Sequence, residues 1–155
     1  MSKWVGASIL FTVFILTGCS SNDGMKGDKP PQVMIQIGEQ TYETKLGTYC
    51  WNAKGKGECV DKVGPVELLK GEKPIEVRPG EDVTFLMNYN PKPNEIDVTQ
   101  INNNKETKVV VAKNRFIVPT NKGIYYYSYG VWWMDKKEKH VSNGDASYVF
   151  ALEVK

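Results

Sequence analysis

From Val33 onward the chain alternates apolar and polar residues in short runs, and Gly, Pro or Asn separates one run from the next. Such period-two patterning puts one set of side chains on each face of a strand. Val33-Met34-Ile35-Gln36-Ile37 stops at Gly38-Glu39-Gln40, and strands over 41–44 and 46–51 follow. Residues 52–57, with Gly55 and Gly57, form a hairpin tip. Pro65-Val66-Glu67-Leu68-Leu69 and Ile75-Glu76-Val77 read as two further short strands. Pro79-Gly80 then turns the chain, because Pro79 sets its own φ and Gly80 accepts a positive one. Val83 to Tyr89 is the next strand, ended by Pro91 and Pro93.

The second half repeats this grammar. Glu95 to Ile101 alternates, Asn102-Asn103-Asn104 turns, and Lys108-Val109-Val110-Val111 and Arg115 to Val118 follow. A long run from Ile124 to Met134 is joined by a lysine-rich hairpin to a closing strand, in which Tyr148, Phe150, Leu152 and Val154 share one face. No helical stripe longer than two turns interrupts the pattern. Short strands at this spacing predict an all-β fold, an antiparallel β-sandwich of about 7–9 strands.

The segment before Val33 follows other rules. After Met1-Ser2-Lys3 comes an uncharged apolar run of 13 residues, Trp4 to Leu16. A membrane-spanning helix needs about 20 residues, so this run has the proportions of a signal-peptide core instead. It ends in Leu16-Thr17-Gly18-Cys19, which resembles the lipobox of bacterial lipoproteins. That resemblance implies cleavage after residue 18 and a diacylglyceryl group on Cys19. Two acyl chains anchor stably where one does not. The expectation is therefore a signal peptide over 1–18, a lipidated and flexible tether over 19–32, and one domain over 33–155. The address would be the extracytoplasmic face of the cell membrane. The Gly-, Pro- and charge-rich tether would span about 20 Å, which keeps the domain near membrane proteins, nascent wall material or solutes arriving there.

A second resemblance covers residues 75–155. Pro79-Gly80-Glu81-Asp82-Val83-Thr84-Phe85, the Val118-Pro119 to Gly123-Ile124-Tyr125-Tyr126-Tyr127 stretch, and the closing Tyr148-x-Phe150-x-Leu152-x-Val154 strand are together similar to extracellular immunoglobulin-like domains. Similar arrangements occur in uncharacterised Gram-positive lipoproteins. The resemblance implies fold only, since sandwiches host many functions.

Composition narrows the partners. Twenty Lys and Arg oppose eighteen Asp and Glu, too even a balance to imply nucleic acid. Of three cysteines, Cys19 is taken by the anchor, leaving Cys50 and Cys59. The pair reads as a structural disulfide in an oxidising compartment, with Trp51 packed on it. A metal or redox site is the rival, but the tight C-x2-C spacing of such sites is missing.

Catalytic chemistry has little to stand on. His140 is the sole histidine and lies in a polar hairpin, so it lacks the oriented partners of a nucleophilic triad. No phosphate-binding glycine loop or metal motif occurs, and no cofactor is expected. The densest feature is aromatic. Tyr125, Tyr127, Tyr129 and Trp133 fall on one face of their strand, and Tyr126, Ser128, Gly130, Trp132 and Met134 on the other. One face packs in the core and the other is open, and the pattern alone does not say which. Tyr125, Tyr127, Tyr129, Trp132 and Trp133 are thus the candidate binding surface for a glycan or a protein partner, with cross-strand aromatic packing as the alternative. Lys136, Lys137 and Lys139 form a nearby charge cluster suited to anionic lipid or to phosphate polymer, or simply to a solvated hairpin tip. The expectation is a non-enzymatic accessory module of the envelope. An inhibitor or structural partner of an envelope enzyme is the second reading, and a hydrolase the third.

Overall fold

The computed structural model describes residues 24–155, so Cys19 and the apolar run over 4–16 lie outside the described residues. Two sheets face each other. The smaller contains β1 (Val33–Ile37), β2 (Gln40–Glu43), β6 (Asp82–Met87) and β9 (Arg115–Ile117), in the order β2-β1-β6-β9. The larger contains β3 (Lys45–Ala53), β4 (Lys56–Val60), β7 (Glu95–Asn102), β8 (Lys105–Lys108), β10 (Gly123–Met134) and β11 (Ser142–Val154), in the order β4-β3-β11-β10-β7-β8. A short strand, β5 (Ile75–Val77), runs parallel to the end of β11 beyond the reach of β3. All other pairings are antiparallel, and the all-β sandwich expected from the alternation is what forms. Its eleven strands exceed the expected number because brief edge strands such as β2, β5 and β9 join the long ones.

The long strands β10 and β11 pair from Gly123↔Val154 to Met134↔Ser142 and form the spine. Their inward residues meet the smaller sheet in an aromatic layer. Phe85 on β6 stacks on Tyr129 at a centroid distance of 3.9 Å, and Tyr127 stacks on Phe150 at 5.0 Å. Burial makes the phenolic protons hard to lose, so Tyr127 and Tyr148 titrate above the ordinary range and Tyr129 is pushed up to about 12. Tyr127 OH donates to Gln100 Oε1 and Tyr148 OH to the Pro31 carbonyl, so these hydroxyls are buried with partners.

The disulfide forms. Cys50 and Cys59 are cross-strand partners on β3 and β4, with Cα atoms 4.1 Å apart. The hairpin that aligns them turns on Lys54 and Gly55, both at positive φ, a geometry that glycine enters without steric cost. Trp51 does not pack on that bridge. Neighbouring strand residues point to opposite faces, so Trp51 enters the core while the bridge sits on the outer face.

Two further expectations are corrected. Pro65–Leu68 is a single helical turn, α1, and not a strand; Pro65 stands at its start, where the missing N–H costs nothing. The segment read as a flexible tether is laid on the domain from Met25 onward. Met25 N–H donates to Asn52 O, Trp51 Nε1 donates to Gly27 O, and Lys54 pairs with Asp28. Met25 and Pro30 are buried.

Candidate functional site

The register of the larger sheet decides which aromatic residues can meet a ligand. Tyr125, Tyr127, Tyr129 and Trp133 all face inward and are buried. Four of the five residues expected to form a binding surface therefore belong to the core, because the smaller sheet covers the face they share. Trp133 also donates its Nε1 proton to Pro91 O at 2.8 Å. Trp132 alone of that group lies on the outer face, half-buried.

On the Gly130 side of Trp132 the outer face carries only small side chains. Along β10 these are Gly130 and Ser128, with Met134 and the paired Glu95 on the other side of the ring, and across the strands lie Asp145, Ser147, Asp97 and Thr99. A Cβ added to Gly130 would come within 2.7 Å of Trp132 Cη2 and 3.1 Å of its Cζ3. The indole therefore lies along its own strand, over the glycine, and presents a flat ring beside the hydroxyls. Together these residues line a cleft of about 260 Å³ with Thr48 on its rim.

Thr48 reaches this cleft through a β-bulge. Ala146 opposes Tyr49 and Tyr148 opposes Leu46, so Gly47 and Thr48 share the single residue Ser147. Bulges of this type re-aim a side chain. Ser147 Oγ donates to Thr48 O, and it would lie only 2.5 Å from a Cβ on Gly47.

The cleft carries two carboxylates in different environments. Asp97 is paired with Lys108 at 2.7 Å, and the pairing holds the Lys108 ammonium above the ordinary lysine range. Asp145 accepts the Cys50 N–H at 3.3 Å, beside the disulfide. Burial raises its pKa, and the Cys50 N–H opposes part of that rise. The arrangement offers one flat apolar ring, two carboxylates and several hydroxyls within one open cleft. That set suits a ligand with many hydroxyl groups and a C–H face.

Sequence reasoning missed Asp97, Asp145, Thr48, Thr99 and Ser147. They come from three strands far apart in the chain, and only the outward run Ser128, Gly130, Trp132 was visible as a signal. His140 is exposed in the β10–β11 hairpin. Among the described residues no group of three or more His, Cys, Asp or Glu side chains is placed to hold a metal ion. Comparison with family models, with curated proteins and with solved structures finds no match for this chain.

Proposed function

We propose that this chain is a membrane-anchored, extracytoplasmic lipoprotein that acts as a non-enzymatic binding module for an envelope glycan. The observation that carries the reading is the Trp132 indole lying over Gly130 in a cleft of carboxylates and hydroxyls. An aromatic ring takes the C–H face of a sugar, and carboxylates and Ser or Thr hydroxyls accept hydrogen bonds from sugar hydroxyls. A glycan fits better than a protein partner here, because a protein hot spot needs a well-desolvated apolar pocket and this cleft has a single large apolar side chain. The extracytoplasmic address draws support from the lipobox resemblance and from the Cys50–Cys59 disulfide, which persists in oxidising compartments.

The test is retention of the full chain, in mild detergent, on insoluble envelope glycan. Trp132→Ala is expected to weaken retention about thirtyfold, the size of a central aromatic contact. Its unfolding free energy should change by less than about 1 kcal/mol, since the ring is on the outer face. Ile117→Ala, exposed on the smaller sheet, serves as a control that binds like the parent chain. Equal retention of Trp132→Ala and the parent would overturn the reading.

A further inference from the structure

The described chain begins at one end of the sandwich and is held there. Met25 N–H donates to Asn52 O, and Lys26 N–H donates to the Tyr89 hydroxyl, which in turn donates to Lys26 O. Residue 19 precedes Gly24 by five positions, a stretch that cannot exceed about 18 Å even when fully extended. This end therefore stays within that distance of Cys19. Lys155 closes the chain at the opposite end, beside Glu76 and Val77.

Lysines gather at the same end. Lys26, Lys92, Lys136 and Lys137 line a cavity of about 980 Å³ that opens beside Gly24. They come from the N-terminal strap, the β6–β7 loop and the β10–β11 hairpin, and all four are exposed. None of them forms an ion pair among the described residues. Lys92 Nζ donates to Met87 O. Asp135 is the acid among the lining residues, and its carboxylate is turned to its own hairpin. There it accepts the N–H groups of Lys137 at 2.7 Å and Glu138 at 2.9 Å, and the Asn143 amide at 3.3 Å. Those bonds hold the Asp135 carboxyl below the ordinary range, so it stays ionised and engaged. Of the other acids nearby, Glu138 lies on the same hairpin, Glu95 follows Asn94 at the start of β7, and Asp28 in the strap is paired with Lys54.

Resting on the reading that Cys19 is anchored, we infer that this lysine-lined end docks on the phosphates of an anionic bilayer. The strands then stand upright on the membrane, and the Trp132 cleft on the outer face opens sideways towards wall material. The anchor holds the domain near the surface, and the four lysines set its orientation, because their attraction acts only within a Debye length of the headgroups.

The test uses the full chain purified from an expressing bacterium and reconstituted into vesicles. One set is phosphatidylcholine, and the other is phosphatidylcholine mixed with phosphatidylglycerol. A water-soluble amine-acylating reagent is added, and each lysine is read by mass spectrometry. Lys26, Lys92, Lys136 and Lys137 are expected to label several-fold more slowly on the phosphatidylglycerol vesicles. Lys105 and Lys122, at the far end, should label equally on both. High salt should erase the difference. In Lys136→Gln and Lys137→Gln, solvent-exposed changes that leave the fold intact, labelling of Lys26 and Lys92 on the phosphatidylglycerol vesicles should rise towards its rate on phosphatidylcholine, and further in the double variant than in either single one.

Equal labelling of the four lysines on both vesicles would overturn the inference. So would protection by soluble polyglycerol phosphate without protection by phosphatidylglycerol vesicles, which would assign the surface to a phosphate polymer. The mass of the peptide containing Cys19, from the same samples, reports acylation separately. The anchoring reading can thus fail while the lysine protection stands.

Discussion

Replacing Trp51 by alanine is expected to lower the unfolding free energy by about 3–5 kcal/mol. Domains of this kind have about 5–15 kcal/mol in total, so the change removes a large share. Trp51 is 2% exposed and sits where three parts of the chain meet. Its ring lies edge-on to Trp133 at 5.1 Å and to Tyr89 at 5.8 Å. Its Nε1 donates to Gly27 O at 3.0 Å, which ties the N-terminal strap to β3. Truncation leaves a cavity under Met25 and releases the strap together. Urea unfolding measures the first effect. Limited trypsin digestion measures the second, since Lys26 lies in the strap before Gly27 and should be cut sooner than in the parent chain. Trp51→Phe keeps a ring but loses the donor, and should cost less than the alanine variant while still loosening the strap. An unchanged midpoint in Trp51→Ala would mean that this end of the sandwich does not pack as described.

Trp51 also marks how far sequence reasoning reaches. Alternation correctly separated the residues of β10 into two faces and those of β11 likewise. It could not say which face of β10 the smaller sheet covers, because that depends on pairing across the sandwich and not on the strand's own period. The same alternation places Trp51 opposite Cys50, and the expectation of Trp51 on the disulfide gave adjacency in the chain more weight than pleat. The disulfide itself was legible, since Gly55 marks a hairpin and the two cysteines flank it. Pro65–Leu69 was not, because a short apolar run reads equally as strand or helix. The strap was missed for a different reason. Its composition is that of a loop, and only the unmet donor on Trp51 and the space beside Gly144 give Met25 and Gly27 something to bind. The cleft was the least legible part. Asp97, Thr48 and Asp145 converge on Trp132 through register and a bulge, neither of which leaves a local signature.

Two glycine-to-alanine changes should separate folding from binding. Gly130 and Gly144 both lie in the larger sheet, and neither needs a positive φ, so alanine is acceptable to the backbone at each. At both sites the new methyl group would meet an indole. It would lie 2.7 Å from Trp132 Cη2 at position 130, and 2.8 Å from Trp51 Cε3 at position 144. The outcome turns on whether the ring can move. Trp132 lies on the outer face and can swing off the strand. Gly130→Ala should therefore unfold within about 1 kcal/mol of the parent, helped by the smaller backbone entropy of alanine in the unfolded chain. Its glycan retention should fall about tenfold or more, because the ring no longer lies flat beside the hydroxyls. Trp51 has no such freedom. Trp133, Tyr89 and the Gly27 carbonyl hold it, and Met25 Cγ would be only 3.2 Å from the same methyl. Gly144→Ala should cost about 1–3 kcal/mol by overpacking, while the folded fraction binds glycan as the parent does. Urea unfolding and glycan retention, measured on both variants, give a crossed result if the outer ring is the binding element. If Gly130→Ala retains glycan fully with its ring displaced, the carboxylates and hydroxyls would have to hold the ligand without Trp132, and the aromatic shelf would lose its role.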